Sequence, residues 1–161
     1  MRHLARVHPA SAHGRARAAE LTHFCTHCAT LHEAAVRTRV CTECGLGVVL
    51  TCSHATLDRP GAAFLVVTSD LRVSAASEAA DAMFAAPDGS YGRPLMSLLT
   101  SPEGMAEMAR IVMRAASGTL APSTIPVQAA SSNLEARELE ARVGGCGNPP
   151  AALVVVEVTA A

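Results

Sequence analysis

Two pairs of cysteines constrain this chain more than any other feature. Cys25-Thr-His-Cys28 is followed, after twelve residues, by Cys41-Thr-Glu-Cys44. A Cys-x-x-Cys turn lets two thiolates approach one ion from one side. A second turn supplies the opposite side of a tetrahedron, at about 2.3 Å per Zn–S bond. The spacing points to one structural zinc held by Cys25, Cys28, Cys41 and Cys44. Four protein ligands leave no open coordination position, which argues against a catalytic metal. Gly45 and Gly47 follow the second pair, where a tight turn needs residues free of a Cβ clash. Two other readings compete. Disulfides would need an oxidising compartment, and nothing in the sequence suggests export; a dithiol redox motif explains one Cys-x-x-Cys but not two. His23, His27, His32, Cys52 and His54 lie close by. His27 or Cys52 is the natural substitute should one cysteine not be a ligand, but the group reads more simply as polar surface residues.

The doubled turn resembles a zinc ribbon over about twenty residues. It departs from the ribbon pattern at Ala29, where ribbons often carry Gly. Residues 22–54 are expected to form this module, with Val48–Leu50 as the strand that closes it. So short a segment cannot bury enough apolar surface to fold without the metal.

A length of 161 residues leaves room for one further domain. Half of the chain is apolar, yet aromatics are few: Phe24, Phe64, Phe84 and Tyr91, with no Trp. The core must be built from Ala, Val, Leu and Met. The net charge of −1 gives no global field toward nucleic acid. No run approaches the roughly 18–20 apolar residues of a membrane span, and Met1–Arg6 lacks the apolar region of a signal peptide. A cytoplasmic protein without membrane contact is expected. Residues 1–21 carry Arg2, Arg6, Arg15 and Arg17 and read as a disordered basic arm. Asp58-Arg59-Pro60-Gly61 marks a linker over 55–62.

The larger domain is expected over 63–159. Phe64–Val67 is a β-branched apolar run, and Arg72–Ala76 the second strand of a hairpin. Ser77 caps a helix over 78–85, and 92–99 reads as a short helix entered at Pro94. Ser101-Pro102-Glu103 signals the start of a longer helix that ends at Gly118. Thr124–Gln128 is a strand candidate. Leu134–Val143 mixes helical composition with strand alternation. Gly144–Pro150 reads as a turn, and Ala152–Val158 as a strand.

Residues 63–159 resemble a PAS domain. The likeness is carried by Phe64–Asp70 followed by Arg72–Ser77, by Glu78–Phe84, and by Gly92-Arg93-Pro94-Leu95 with Leu98-Leu99. Ser77 stands where the family commonly has Asn. The resemblance implies an α+β fold, a five-stranded antiparallel sheet with flanking helices, preceded here by the small ribbon, and it assigns 134–143 to a strand. It also implies sensing or pairing. All seven His lie at or before His54, so no histidine of this part can ligate haem, and the cysteine signature of flavin photosensors is missing. Neither haem nor flavin is expected. Met105, Met108 and Val112 share one helical stripe and could line a pocket for a small apolar ligand, though plain core filling is the commoner use of such residues.

No nucleophile elbow, phosphate loop or usable histidine points to an enzyme. The expected function is that of a signalling or regulatory protein, a PAS sensor or dimerisation module that forms a homodimer or binds a protein partner. One alternative is a transcription regulator whose ribbon and arm touch nucleic acid, favoured slightly by Arg37 and Arg39 and opposed by Glu33 and Glu43. Another is a thiol redox switch that releases zinc on oxidation.

Overall fold

The computed structural model of the chain describes residues 20–33, 39–85, 88–130 and 138–159. Residues 1–19 of the basic arm, Arg37, Pro87 and the first residues of the 134–143 segment lie outside them, while Leu21, expected in the arm, begins the first strand. Nine strands and two helices follow in order: β1 (Leu21–Cys25), β2 (Leu31–His32), β3 (Val49–Ser53), β4 (Ala63–Val67), β5 (Val73–Ala76), α1 (Glu78–Met83), β6 (Leu99–Thr100), α2 (Met105–Ala116), β7 (Ser123–Ala129), β8 (Leu139–Cys146) and β9 (Ala151–Val158). A single 3₁₀ turn, Leu95–Ser97, precedes β6.

The strands join in one antiparallel sheet in the order β2-β1-β3-β8-β9-β4-β5. β7 runs along β8 from Leu139 to Val143. β3 meets the same edge further on, where Cys52 lies opposite Cys146. This corrects the expected fold. The sheet is not a five-stranded one with flanking helices; it has nine strands, and the strands of the cysteine segment belong to it. The physical reason is the edge that β8 leaves open. β7 ends opposite Val143 but β8 continues to Cys146, and β3 takes up the pairing there.

The middle strands are buried on both faces, which explains their unbroken apolar sequences. Ala63, Leu65 and Val67 of β4, with Ala152, Val154 and Val156 of β9, face one core together with Met108, Ile111, Val112 and Ala115 of α2. The alternate residues Phe64, Val66, Leu153 and Val155 face a second core with Phe24, Ala29, Cys52, Leu57 and Cys146. Four strand-to-strand steps separate β1 from β4. A flat sheet would hold them about 19 Å apart. The rings of Phe24 and Phe64 are instead 5.2 Å apart, edge to face. The sheet therefore curls until β1 covers the outer face of β4 and β9.

Several local expectations hold. Ser77 caps α1, its Oγ accepting from the Ala80 N–H at 3.2 Å. Gly118, at φ 100°, follows the end of α2. Others shift. Residues 92–99 do not form the expected short helix: only the 3₁₀ turn Leu95–Ser97 is helical, and Leu99 belongs to β6. α2 begins at Met105, not at Pro102: Ser101 Oγ accepts from the Glu103 N–H at 3.2 Å and donates to the Pro126 carbonyl, but Gly104 at φ 104° interrupts the helical backbone before Met105. Gly144 and Gly145 are strand residues, not turn residues. A Cβ on Gly144 would lie 2.2 Å from Thr56 Oγ1, and one on Gly145 would lie 2.9 Å from the Thr119 carbonyl oxygen. These glycines permit close approach on the two faces of β8.

The segment after β3 is held down at its rim by charge. Arg142 on β8 donates to Glu157 on β9 at 2.9 Å and to Asp58 at 3.3 Å, and Arg59 pairs with Glu157 at 2.9 Å. The Arg142 guanidinium holds the Asp58 carboxyl below its usual range against a desolvation effect in the opposite direction.

Two substitutions test this packing. Phe24→Ala should cost about 3–5 kcal/mol in urea unfolding, because it empties the contact that closes the second core. Thr56→Val should instead stabilise by about 1 kcal/mol. The Thr56 hydroxyl is fully buried without a hydrogen-bond partner, so an isosteric apolar group removes a desolvation cost. Lower stability of Thr56→Val in the same experiment would show that the hydroxyl is satisfied in solution.

Candidate metal centre

The four ligand candidates come from two turns laid side by side. β1 ends at Cys25, and Thr26-His27-Cys28 turns back toward β2. The second turn, Cys41–Cys44, precedes β3, and its Cys41 N–H donates to the Gly47 carbonyl at 2.8 Å. Backbone bonds fasten one turn to the other. The Thr26 N–H donates to the Val48 carbonyl at 2.9 Å, and the Val48 N–H donates to Thr26 Oγ1 at 3.0 Å. The first turn is also tied to the larger segment. The Glu78 N–H at the start of α1 donates to the His27 carbonyl at 3.0 Å, and the His27 imidazole lies 3.2 Å from the Glu78 carboxylate.

This arrangement brings the sulfurs of Cys25, Cys28, Cys41 and Cys44 within 4.8 Å of one another. Cys25 and Cys44 are 3.7 Å apart, and Cys28 and Cys41 3.8 Å. Tetrahedral zinc with bonds of about 2.3 Å requires sulfurs about 3.8 Å apart. The geometry and the chemistry of the donors therefore fit a metal ion such as zinc, held by four thiolates.

Backbone amides support the sulfurs. The His27 N–H points to Cys25 Sγ at 3.3 Å and the Gly47 N–H to Cys44 Sγ at 3.5 Å. These amides matter electrostatically, since four thiolates place excess negative charge on one ion. Without metal the four sulfurs are not equivalent. The Gly47 and Leu46 amides pull the Cys44 thiol down to about 6, while burial pushes Cys25 up to about 12. Thr30 Oγ1 lies 3.2 Å from Cys28 Sγ, and His32 Nε2 lies 3.4 Å from Cys41 Sγ.

The glycines after the second turn have separate roles. Gly45 adopts φ 69° with open space around it, so only its backbone conformation demands glycine. Gly47 has an ordinary φ, but a Cβ there would lie 2.3 Å from Cys25 Sγ. Ala29, the departure from the ribbon pattern, carries the left-handed φ of 56° that a glycine would adopt freely, while its methyl is buried in the second core.

Of the spare histidines and cysteine, only His32 reaches a ligand sulfur. His23 bonds Thr51 and His54 bonds Thr22, both at 3.0 Å, and Cys52 lies in the second core opposite Cys146. Residue spacing alone could not separate His32 from the other histidines. Its place on β2, paired with β1, aims it at the site. The stripe proposed for an apolar ligand divides: Met108 and Val112 are buried in the first core, while Met105 at the start of α2 is 38% exposed.

In the comparisons with known proteins, no family model matches the chain, and no curated protein and no solved structure matches it. Among the described residues, no helix is long and apolar enough to cross a membrane.

Two measurements probe the centre. Gly47→Ala should weaken zinc binding on the order of 10–100-fold in competition with a chelating dye, because the methyl displaces Cys25 Sγ. Gly45→Ala should leave affinity nearly intact and cost about 1–2 kcal/mol of stability. Zinc affinity should also fall as pH falls. Between pH about 6 and about 12 the metal-free site keeps the Cys25 proton. Binding must release it, so affinity should drop at least about tenfold per pH unit on acidification. A pH-independent affinity would mean that binding releases no thiol proton, against a site of four thiolates.

Proposed function

We propose that this chain is a zinc-stabilised regulatory module that acts by binding a protein partner, through the tip of its second cysteine turn. The observation that carries this reading is the exposed apolar surface around that turn. Leu46 is 75% exposed, and Val40 and Val48, bridged to each other, are about half exposed. A turn with three large aliphatic residues turned outward is costly in water unless something covers it. Zinc is the reason such a turn can be rigid, since the Leu46 and Gly47 amides are fastened to Cys44. A closed set of four thiolates suits this structural role and leaves no coordination site for catalysis. A second copy of the chain would meet the same surface, which is how a homodimer enters this reading.

The test is Leu46→Asp. It should abolish partner binding, or shift a self-associated species to monomer in sedimentation, while zinc stoichiometry and thermal stability stay unchanged. Unchanged association in a variant that retains its zinc would overturn the reading. Loss of zinc from Leu46→Asp would count against it as well, by showing that the exposed residue serves the fold.

A further inference from the structure

Two cysteines lie outside the metal centre, and the topology sets them face to face. Cys52 on β3 and Cys146 on β8 are direct cross-strand partners, and theirs is the one register pair that joins the two strands. The Gly147 N–H donates to the Thr51 carbonyl at 2.9 Å, which makes Cys52 and Cys146 a non-hydrogen-bonded pair of the antiparallel ladder. In such a pair the Cα atoms are about 4.5 Å apart and the side chains lean toward the same face. Disulfides accept Cα separations of about 4.4–6.8 Å. Both side chains belong to the second core, which also holds Phe24 and Leu153. Both are free thiols in this structure.

We infer that Cys52 and Cys146 are a redox pair, whose oxidation by a low-molecular-weight disulfide forms a cross-strand bond that staples the cysteine-rich hairpin to the main sheet. The exchange runs in two steps. One thiol, as thiolate, attacks a sulfur of oxidised glutathione, forming a mixed disulfide and releasing one glutathione. The other thiolate then attacks the protein sulfur of that mixed disulfide and releases the second glutathione. The two thiol protons end on the two released glutathiones, and the two electrons have reduced the glutathione disulfide.

The position of the pair explains what the bond would control. β1, β2 and β3 connect to the rest of the sheet along β8 only at this point. A junction of one pair opens more readily than the longer ladders on either side. In the closed protein both thiols are buried, and burial pushes each up to about 12, which keeps them protonated and slow to react. Exchange therefore takes place when the Thr51–Gly147 end of the junction opens, and the bond then holds that end shut. The inference goes beyond the zinc reading, since neither cysteine belongs to the ligand set.

The experiment uses the full chain with zinc bound, incubated with oxidised glutathione, then alkylated and digested without reduction. The expected product is a peptide that links Cys52 to Cys146, with an intact mass lower by two hydrogens. The amides of Val49–Ser53 should exchange with deuterium at least about tenfold more slowly than in the reduced protein, with no change after Cys146→Ala. Glutathione retained on Cys52 or Cys146 without a link would overturn the inference. So would links confined to Cys25, Cys28, Cys41 and Cys44 while Cys52 and Cys146 still alkylate. Because the linked peptide is sought in the unsubstituted chain, the result does not depend on whether the Cys146→Ala variant folds.

Discussion

The middle of the sheet is apolar on both faces, and most of the structure answers to that constraint. β4 and β9 present alternate residues to two cores. α2 covers one face. The other would lie open to water if the sheet were flat, and burial of its Phe64, Val66, Leu153 and Val155 is worth roughly 1.5–3 kcal/mol for each side chain. The sheet meets the demand by curling, so that Phe24 from β1 lands on Phe64. Leu57 and Ala62, on the segment between β3 and β4, fill the remaining gap.

A cover of that kind is a short hairpin with little surface of its own to bury, and it needs to be rigid. The four cysteines supply the rigidity. Their two turns fix the end of β1 and the approach to β3, and the Thr26–Val48 bonds lock the turns together. A metal at this point lowers the entropy of a segment whose hydrophobic residues alone would hold it weakly. At the opposite rim the cover is pinned by the Arg142, Glu157, Asp58 and Arg59 charges. Asp58 and Arg59 are about half-exposed, so their pairs position the loop more than they stabilise it, while Arg142 and Glu157 between them are largely shielded from water. The Glu78–His27 contacts connect the first cysteine turn to the start of α1.

Much was legible locally. The ligand set follows from spacing, because two Cys-x-x-Cys turns carry their geometry in the backbone between the cysteines. The Ser77 cap and the Gly118 stop are local hydrogen-bond and φ requirements, and they read correctly for that reason. Gly144 and Gly145 did not, because a glycine pair reads as a turn unless one knows what presses on it. Thr56 and the carbonyls at the end of α2 are those neighbours, and they are far away in sequence. Gly47 misled in a milder way. Its neighbour to the second cysteine pair suggested a turn, but what excludes a side chain there is the sulfur of Cys25.

The expected five-stranded sheet failed where local information is weakest, in strand partnership. The likeness to PAS domains rests on short motifs within 63–99, and such motifs describe caps and turns rather than the edges that strands choose. The sequence by itself determined the four-cysteine cluster that could hold a metal, the apolar alternation of β4 and β9, and the caps, all of which depend on residues near one another along the chain. Only the tertiary structure decided that the cysteine hairpin would join the main sheet. That outcome rests on an edge of β8 left free beyond β7 and on an apolar face that needed covering, and both exist only once distant strands have come together.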